Sequence, residues 1–175
     1  MSTRPRLAST LQCAALLLSA LTMGLEFAHV LEWPAKASYP AALYVRLQES
    51  LYVLFGNLGG PLYVAAILTT VVLAVLLRRD PRRRAPVIAA AVLEVLALGC
   101  FFALTYPVNL RLPVHGGGAV PPDLAGLRTR WELGHTLGFV LFTSTFLLQC
   151  RCRSASAMSH GAVATPDADP SGTDG

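Results

Sequence analysis

The chain has 175 residues, 54% of them hydrophobic and only 14% charged, and its mean hydropathy is +0.53. A soluble domain carries about 25% charged residues, so the composition argues against a water-soluble globule. The net charge of +4 does not point to nucleic acid either, because the basic residues sort by loop instead of forming a patch.

Residues 1–10 form a short basic lead. The apolar run 11–33 is long enough for a membrane helix, which needs about 20 mostly apolar residues. It is not a convincing cleaved signal peptide: it is too long, contains Glu26 and His29 and lacks an A-x-A site. Pro34 is expected to end it. Tyr39-Pro40 reads as a new helix start, since proline suits the first helical position. Tyr44, Gln48, Tyr52 and Phe55 then recur at about one turn. The second helix, with its apolar run at 51–77, is therefore expected to begin outside the bilayer and dive in.

Gly56, Gly59, Gly60 and Pro61 interrupt that run, and Pro61 predicts a kink. The glycines allow either close helix packing or a break beside a cavity. Asp80-Pro81 makes a tight turn into the third run, 85–106, which carries Glu94 near its middle. The stretch 107–127 holds Pro107, Pro113, Pro121, Pro122 and the glycines 116–118, so an irregular loop is expected. Its His115-Gly-Gly-Gly is similar to an esterase oxyanion loop, but no G-x-S-x-G elbow accompanies it, and it reads as a flexible loop. The fourth run is 131–150. The tail 154–175, which includes His160, has a disordered composition.

The expected architecture is all-α: a four-transmembrane-helix bundle over 11–153, in a multi-pass protein of the plasma membrane. Nine basic residues (Arg4, Arg6, Arg78, Arg79, Arg82, Arg83, Arg84, Arg151 and Arg153) fall on one side, and five (Lys36, Arg46, Arg111, Arg128 and Arg130) on the other. The positive-inside rule then puts both termini in the cytoplasm. Cys13, Cys100, Cys150 and Cys152 do not suggest a disulfide framework, and Cys150-x-Cys152 has the wrong spacing for common zinc pairs. No internal repeat is visible, which weakens a transporter reading.

Two runs carry the same pair of residues: Glu26-x-x-His29 in the first and Glu132-x-x-His135 in the last. A spacing of three puts each pair on one helix face. Ionisable groups inside a membrane are costly, and usually mark a site or a deliberate polar contact. The first helix runs outward and the fourth inward, so Glu26 should fall level with His135, and His29 with Glu132. Both Glu26 and His135 would lie roughly 10 Å below the outer boundary at about 1.5 Å per residue. Glu32, Lys36, Gln48, Tyr52, Asn109, Arg128 and Arg130 gather at the same end, with Trp33 and Trp131 at aromatic-belt depth. No comparable cluster is expected in the cytoplasmic half.

Several chemistries remain open for these residues. A hydrogen-bonded clamp would fix helix order without chemistry. His29 and His135 with Glu26 or Glu132 could hold a mononuclear metal. A full di-metal site is disfavoured, because Glu94 lies about 18 Å deep, roughly two turns too far. A metal-free carboxylate and imidazole could act as a base on an acidic, apolar substrate arriving from the membrane. A proton or ion path is the fourth option.

The segment Gly24-Leu-Glu26-Phe-Ala-His29-Val-Leu-Glu32-Trp-Pro34-Ala-Lys36, followed by Tyr44 and Gln48, and the segment Arg128-Thr-Arg130-Trp131-Glu132-Leu-Gly-His135 carry a wider resemblance. With them the chain resembles an uncharacterised family of small four-helix membrane proteins related to fungal anthrone oxygenases. The likeness spans roughly 10–150. Its most specific parts are His29-x-x-Glu32-x-Pro34-x-Lys36 and Arg130-Trp131-Glu132-x-x-His135. The resemblance implies a shared polar set of His29, Glu32, Lys36, Gln48, Asn109, Arg130, Trp131, Glu132 and His135, with Glu32 as the partner of His29. It implies, for some relatives, oxygenation of a polycyclic anthrone-type phenol without an obvious cofactor. On that reading His29 and His135 are base or ligands, Glu32 and Glu132 orient them, and Arg130 holds an oxyanion. The chain differs in its outer loop, where a compact Trp-containing stretch is replaced by the glycines 116–118. The alternative function is a non-catalytic membrane module whose His/Glu/Arg cluster locks the helices or binds a partner.

Overall fold

Three of the four apolar runs extend as helix at both ends beyond their sequence-read limits, and the second extends at its start. A computed structural model of the chain describes residues 3–112 and 120–161, with side chains over 6–112 and 120–153. It is all-helical: α1 (Thr3–Ala37), α2 (Ala41–Leu76), α3 (Pro81–Cys100), a π-helical turn (Phe101–Thr105), α4 (Tyr106–Arg111) and α5 (Leu124–Gly161). Four spans are long and apolar enough to cross a membrane, α3 to α4 counting as one. That is compatible with a multi-pass integral membrane protein.

Pro34 does not end α1, which continues to Ala37. The proline loses only the bond to the Val30 carbonyl. The turn after it is held by Lys36, whose Nζ lies 2.9 Å from Glu132 Oε1 of α5. Ser38 N and Tyr39 N close the turn onto the carbonyls of Ala35 and Lys36, and Pro40 caps α2. At the other end Asp80 caps α3 by accepting from Arg83 N at 3.2 Å, with Pro81 in the first helical turn. Helix α5 runs past Ser154, where the sequence places the start of the tail, as far as Gly161. His115, the glycines 116–118 and residues 162–175 lie outside the described residues.

The π turn was not expected. Pro107 has no N–H to offer the carbonyl of Ala103 and crowds it. Just before it, the N–H of Tyr106 reaches five residues back to the Phe101 carbonyl. The orphaned Ala103 carbonyl accepts instead from Arg130 of α5 at 2.5 Å. A π turn widens the helix locally, and such turns are frequent at functional sites.

Helix α1 packs against α2 and α5, and α3 packs against the same two, so α1 and α3 sit diagonally. The core is layered along the bundle. Ala8, Ala15, Leu73, Leu77, Val87 and Cys152 fill the end near the termini. Tyr63, Ala66, Ala97 and Phe142 fill the middle. Tyr44, Tyr52, Val108, Leu112, Leu124, Leu127 and Trp131 are part of the core at the distal end. Among the described residues no disulfide forms.

The radial distribution of polarity is inverted relative to a soluble protein. Leu17, Leu54, Leu68 and Leu147 are each more than half exposed, whereas Gln12, Ser19, Glu26, His29, Lys36, Glu94, Glu132, His135 and Gln149 are buried. Monomeric soluble proteins rarely expose so large an apolar surface. In hydrocarbon the arrangement is favourable, because polar groups then find partners only inside.

Candidate functional site

Glu26 and His135 meet as the antiparallel register of α1 and α5 requires. His135 Nδ1 lies 2.8 Å from Glu26 Oε2, and Tyr63 of α2 donates its hydroxyl to Glu26 Oε1 at 2.7 Å. Gly138, one turn along α5 from His135, makes room for this group. A Cβ there would sit 2.9 Å from Glu26 Oε2 and 3.0 Å from the Tyr63 hydroxyl. Both carboxylate oxygens of Glu26 are thus engaged, while His135 Nε2 is buried with no hydrogen-bond partner. A carboxylate on one ring nitrogen fixes the orientation and tautomer of the imidazole and leaves the other nitrogen for a proton.

The second expected pairing, His29 with Glu132, does not form. The His29 ring packs against His135, with centroids 4.0 Å apart and planes tilted by 38°, and is ringed by Tyr52, Phe55 and Trp131 at 5.0, 5.0 and 4.7 Å. Its Nδ1 is buried and unpartnered, and lies 3.9 Å from Glu32 Oε2, outside hydrogen-bond range. Glu132 pairs with Lys36 instead. The reason is reach: Lys36, two turns beyond His29, is long enough to swing to α5. Its Nζ also stands over the rings of Trp131 and Tyr52, at 4.5 and 5.1 Å. Glu32, the partner of His29 that the resemblance implies, accepts from the Tyr52 hydroxyl at 2.5 Å and lies 3.7 Å from Lys36 Nζ.

A cavity of about 410 Å³ adjoins the imidazoles, a size that suits a small-molecule ligand. Glu26, His29, Gln48, Asn109, Trp131 and His135 line it, with Tyr52, Phe55, Tyr63, Phe101 and Phe102 among its other walls. Gln48 donates to the Tyr44 hydroxyl at 3.2 Å, and Asn109 accepts from Trp131 Nε1 at 3.0 Å. The glycines of α2 resolve the choice left open by the sequence. Gly56, Gly59 and Gly60 line the cavity, and a Cβ at any of them would meet nothing within 4 Å. They border space and are not a packing seam. Close packing falls to Gly134, where a Cβ would run into Thr105 Oγ1 of the π turn.

The structure therefore sorts the eight site candidates. His29, Gln48, Asn109 and His135 line the cavity beside the imidazoles. Lys36 and Glu132 line a separate cavity of about 400 Å³ at the distal end, with Tyr44 and Arg128. Glu32 stands half-buried beside Lys36. Arg130 is exposed and committed to the Ala103 carbonyl, so it is not positioned as an oxyanion holder in the cavity. Tyr63, the π turn and Gly138 were not picked out from the sequence. The only signal for Tyr63 was a polar-tipped aromatic at mid-helix.

Among the described residues, no group of three or more His, Cys, Asp or Glu is placed to hold a metal ion. His135 spends Nδ1 on Glu26, and Glu132 is drawn away to Lys36.

The half of the bundle near the termini holds a polar cluster after all. Glu94 is fully buried. Its Oε1 accepts from Ser19 at 3.2 Å, Thr70 at 3.1 Å and Gln149 at 3.4 Å. Gln149 also reaches Thr70 at 3.1 Å, and Gln12 donates to the Gln149 carbonyl at 3.1 Å. Apart from Glu94 these residues read singly as small or neutral, and only packing shows that four helices aim them at one point.

No protein-family model, curated protein or solved structure matches the chain.

Proposed function

We propose that the chain is a multi-pass membrane enzyme of the anthrone oxygenase-like type. It spans the membrane four times, with both termini and the Arg78–Arg84 turn on the cytoplasmic side. The topology rests on the excess of basic residues at that end. The reaction converts a CH₂ of an apolar anthrone-type phenol to a carbonyl. One atom of O₂ enters the product, and the other leaves as water with the two hydrogens, so no external reductant is needed.

The observation that carries this reading is the buried, unpartnered Nε2 of His135 on a ring fixed by Glu26 at 2.8 Å, at the wall of a largely aromatic cavity. Such a dyad can take the first proton from the substrate, with Glu26 stabilising the imidazolium that results. His29, packed against His135, and Gln48 and Asn109 orient the substrate oxygen. Lys36 and Glu132 serve the fold. The packed layer of Tyr44, Leu112, Leu124 and Leu127 stands between this cavity and the second one.

The test supplies an anthrone to membranes containing the full chain and follows O₂ uptake with carbonyl product. His135→Ala and Glu26→Gln should abolish turnover while the protein stays folded. The second reading, a non-catalytic membrane module, is favoured by the buried Lys36–Glu132 pair, which has the form of a helix clamp. It gains if no phenol is turned over and His135→Ala chiefly lowers thermal stability.

A further inference from the structure

The cavity beside the imidazoles reaches the apolar surface of the bundle. Two of its lining residues, Val64 of α2 and Phe102 of the π turn, are 49% and 54% exposed. Beside them Gly56 and Gly60 are exposed and carry no side chain to close the wall. The second cavity, at the distal end, shares no lining residue with it, and the layer of Tyr44, Leu112, Leu124, Leu127 and Trp131 packs there.

The depth of this opening follows from helix geometry. The 36 residues of α2 span about 54 Å, and Gly60 lies about 28 Å from its start. A hydrocarbon core about 30 Å thick includes Gly60 wherever it is placed along such a helix. Centred on α2, that core covers about 12–42 Å from the helix start, which takes in Gly56, Gly60 and Val64, so the mouth faces acyl chains.

We propose that this mouth is a lateral portal. An apolar molecule with one hydrogen-bonding oxygen, dissolved in the bilayer, enters between α2 and the π turn and brings that oxygen to His135 and His29. The missing side chains at Gly56 and Gly60 set the width of the gap, and Phe102 forms its opposite lip. The aromatic walls select an apolar body. The two buried imidazole nitrogens without partners select a single polar head. The inference rests on the membrane-spanning reading but not on the oxygenation chemistry, so it survives if turnover of an anthrone is never seen.

The test uses the full chain in phosphatidylcholine nanodiscs with Trp33→Phe, which leaves Trp131 as the sole tryptophan of the two. Trp131 lines the cavity and is 2% exposed. The probe is a long-chain alcohol brominated beside its hydroxyl, which partitions into the bilayer and quenches indole on contact. The expected result is saturable loss of Trp131 emission, reversed by the unbrominated alcohol and not reproduced by aqueous acrylamide. Gly60→Phe should abolish the quenching. Gly24→Phe should leave it intact, since Gly24 is exposed on α1, does not line the cavity, and has equal room for a side chain. If Gly60→Phe does not purify as a folded protein, Gly56→Leu tests the same lip. Quenching that rises linearly and is unchanged by both mouth variants would overturn the portal, as would acrylamide quenching as strong as that by the alcohol.

Discussion

Replacing Lys36 by methionine isolates what the distal polar cluster does. Lys36 is 2% exposed and its ammonium lies 2.9 Å from Glu132, itself buried, and 3.7 Å from Glu32. Lys36→Met leaves the Glu132 carboxylate buried without a counter-charge, and breaking such a pair costs about 3–5 kcal/mol. Loss of the ammonium over Trp131, 4.5 Å from the ring centroid, removes a further ~0.5–2 kcal/mol. Replacing the pair together, as Lys36→Met with Glu132→Gln, removes both charges. It should recover most of the loss, because a buried ion pair exchanged for groups of similar volume is often near neutral. The assay is a double-mutant cycle on thermal or denaturant unfolding in detergent micelles. A strongly non-additive cycle, with both single variants well below the double, identifies a clamp. If the two single effects simply add, or if Lys36→Met is as stable as the parent, the assignment of Lys36 and Glu132 to the fold is refuted.

Other substitutions separate the site from its scaffold. Tyr63→Phe removes one of two bonds to Glu26 and should cost about 0.6 kcal/mol, the average for hydrogen bonds between membrane helices, and at most about 1.7 kcal/mol; a melt unchanged within error would refute the bond. Gly138→Ala forces Glu26 or Tyr63 to move, so turnover or ligand affinity should fall more than stability, and a variant matching the parent in both would remove Gly138 from the site. Glu94→Leu strands the donors Ser19, Thr70 and Gln149, and unfolding should show a loss of roughly 1–3 kcal/mol with the cavity-based quenching intact. Arg130→Met should cost at most about 1 kcal/mol, because Arg130 is exposed and gives up only its bond to Ala103; loss of all activity with a normal melt would return Arg130 to the site.

Composition and run length determined an all-helical chain with four helices long and apolar enough to cross a membrane, because a chain with so few charges can satisfy its backbone in hydrocarbon only through helices or a closed barrel, and the runs are long enough for helices. The depth match of Glu26 and His135 was also readable. Antiparallel helices rise equally per residue, so equal distances from their ends put side chains level. Element ends were less legible. Pro34 looked like a stop, but the ion pair between Lys36 and Glu132 sustains the next turn.

Only the tertiary structure decided which neighbour each polar group takes, since a side chain can swing across roughly a turn of helix and several partners then compete. Glu132 went to the long, charged Lys36 and left His29 to pack against His135. Glu94 met Ser19, Thr70 and Gln149 from three other helices, a convergence that no local pattern encodes. Packing likewise settled the glycines. Identical in sequence, Gly60 borders empty space, while Gly134 and Gly138 admit Thr105 and Glu26. The difference lies in what faces each residue across the bundle.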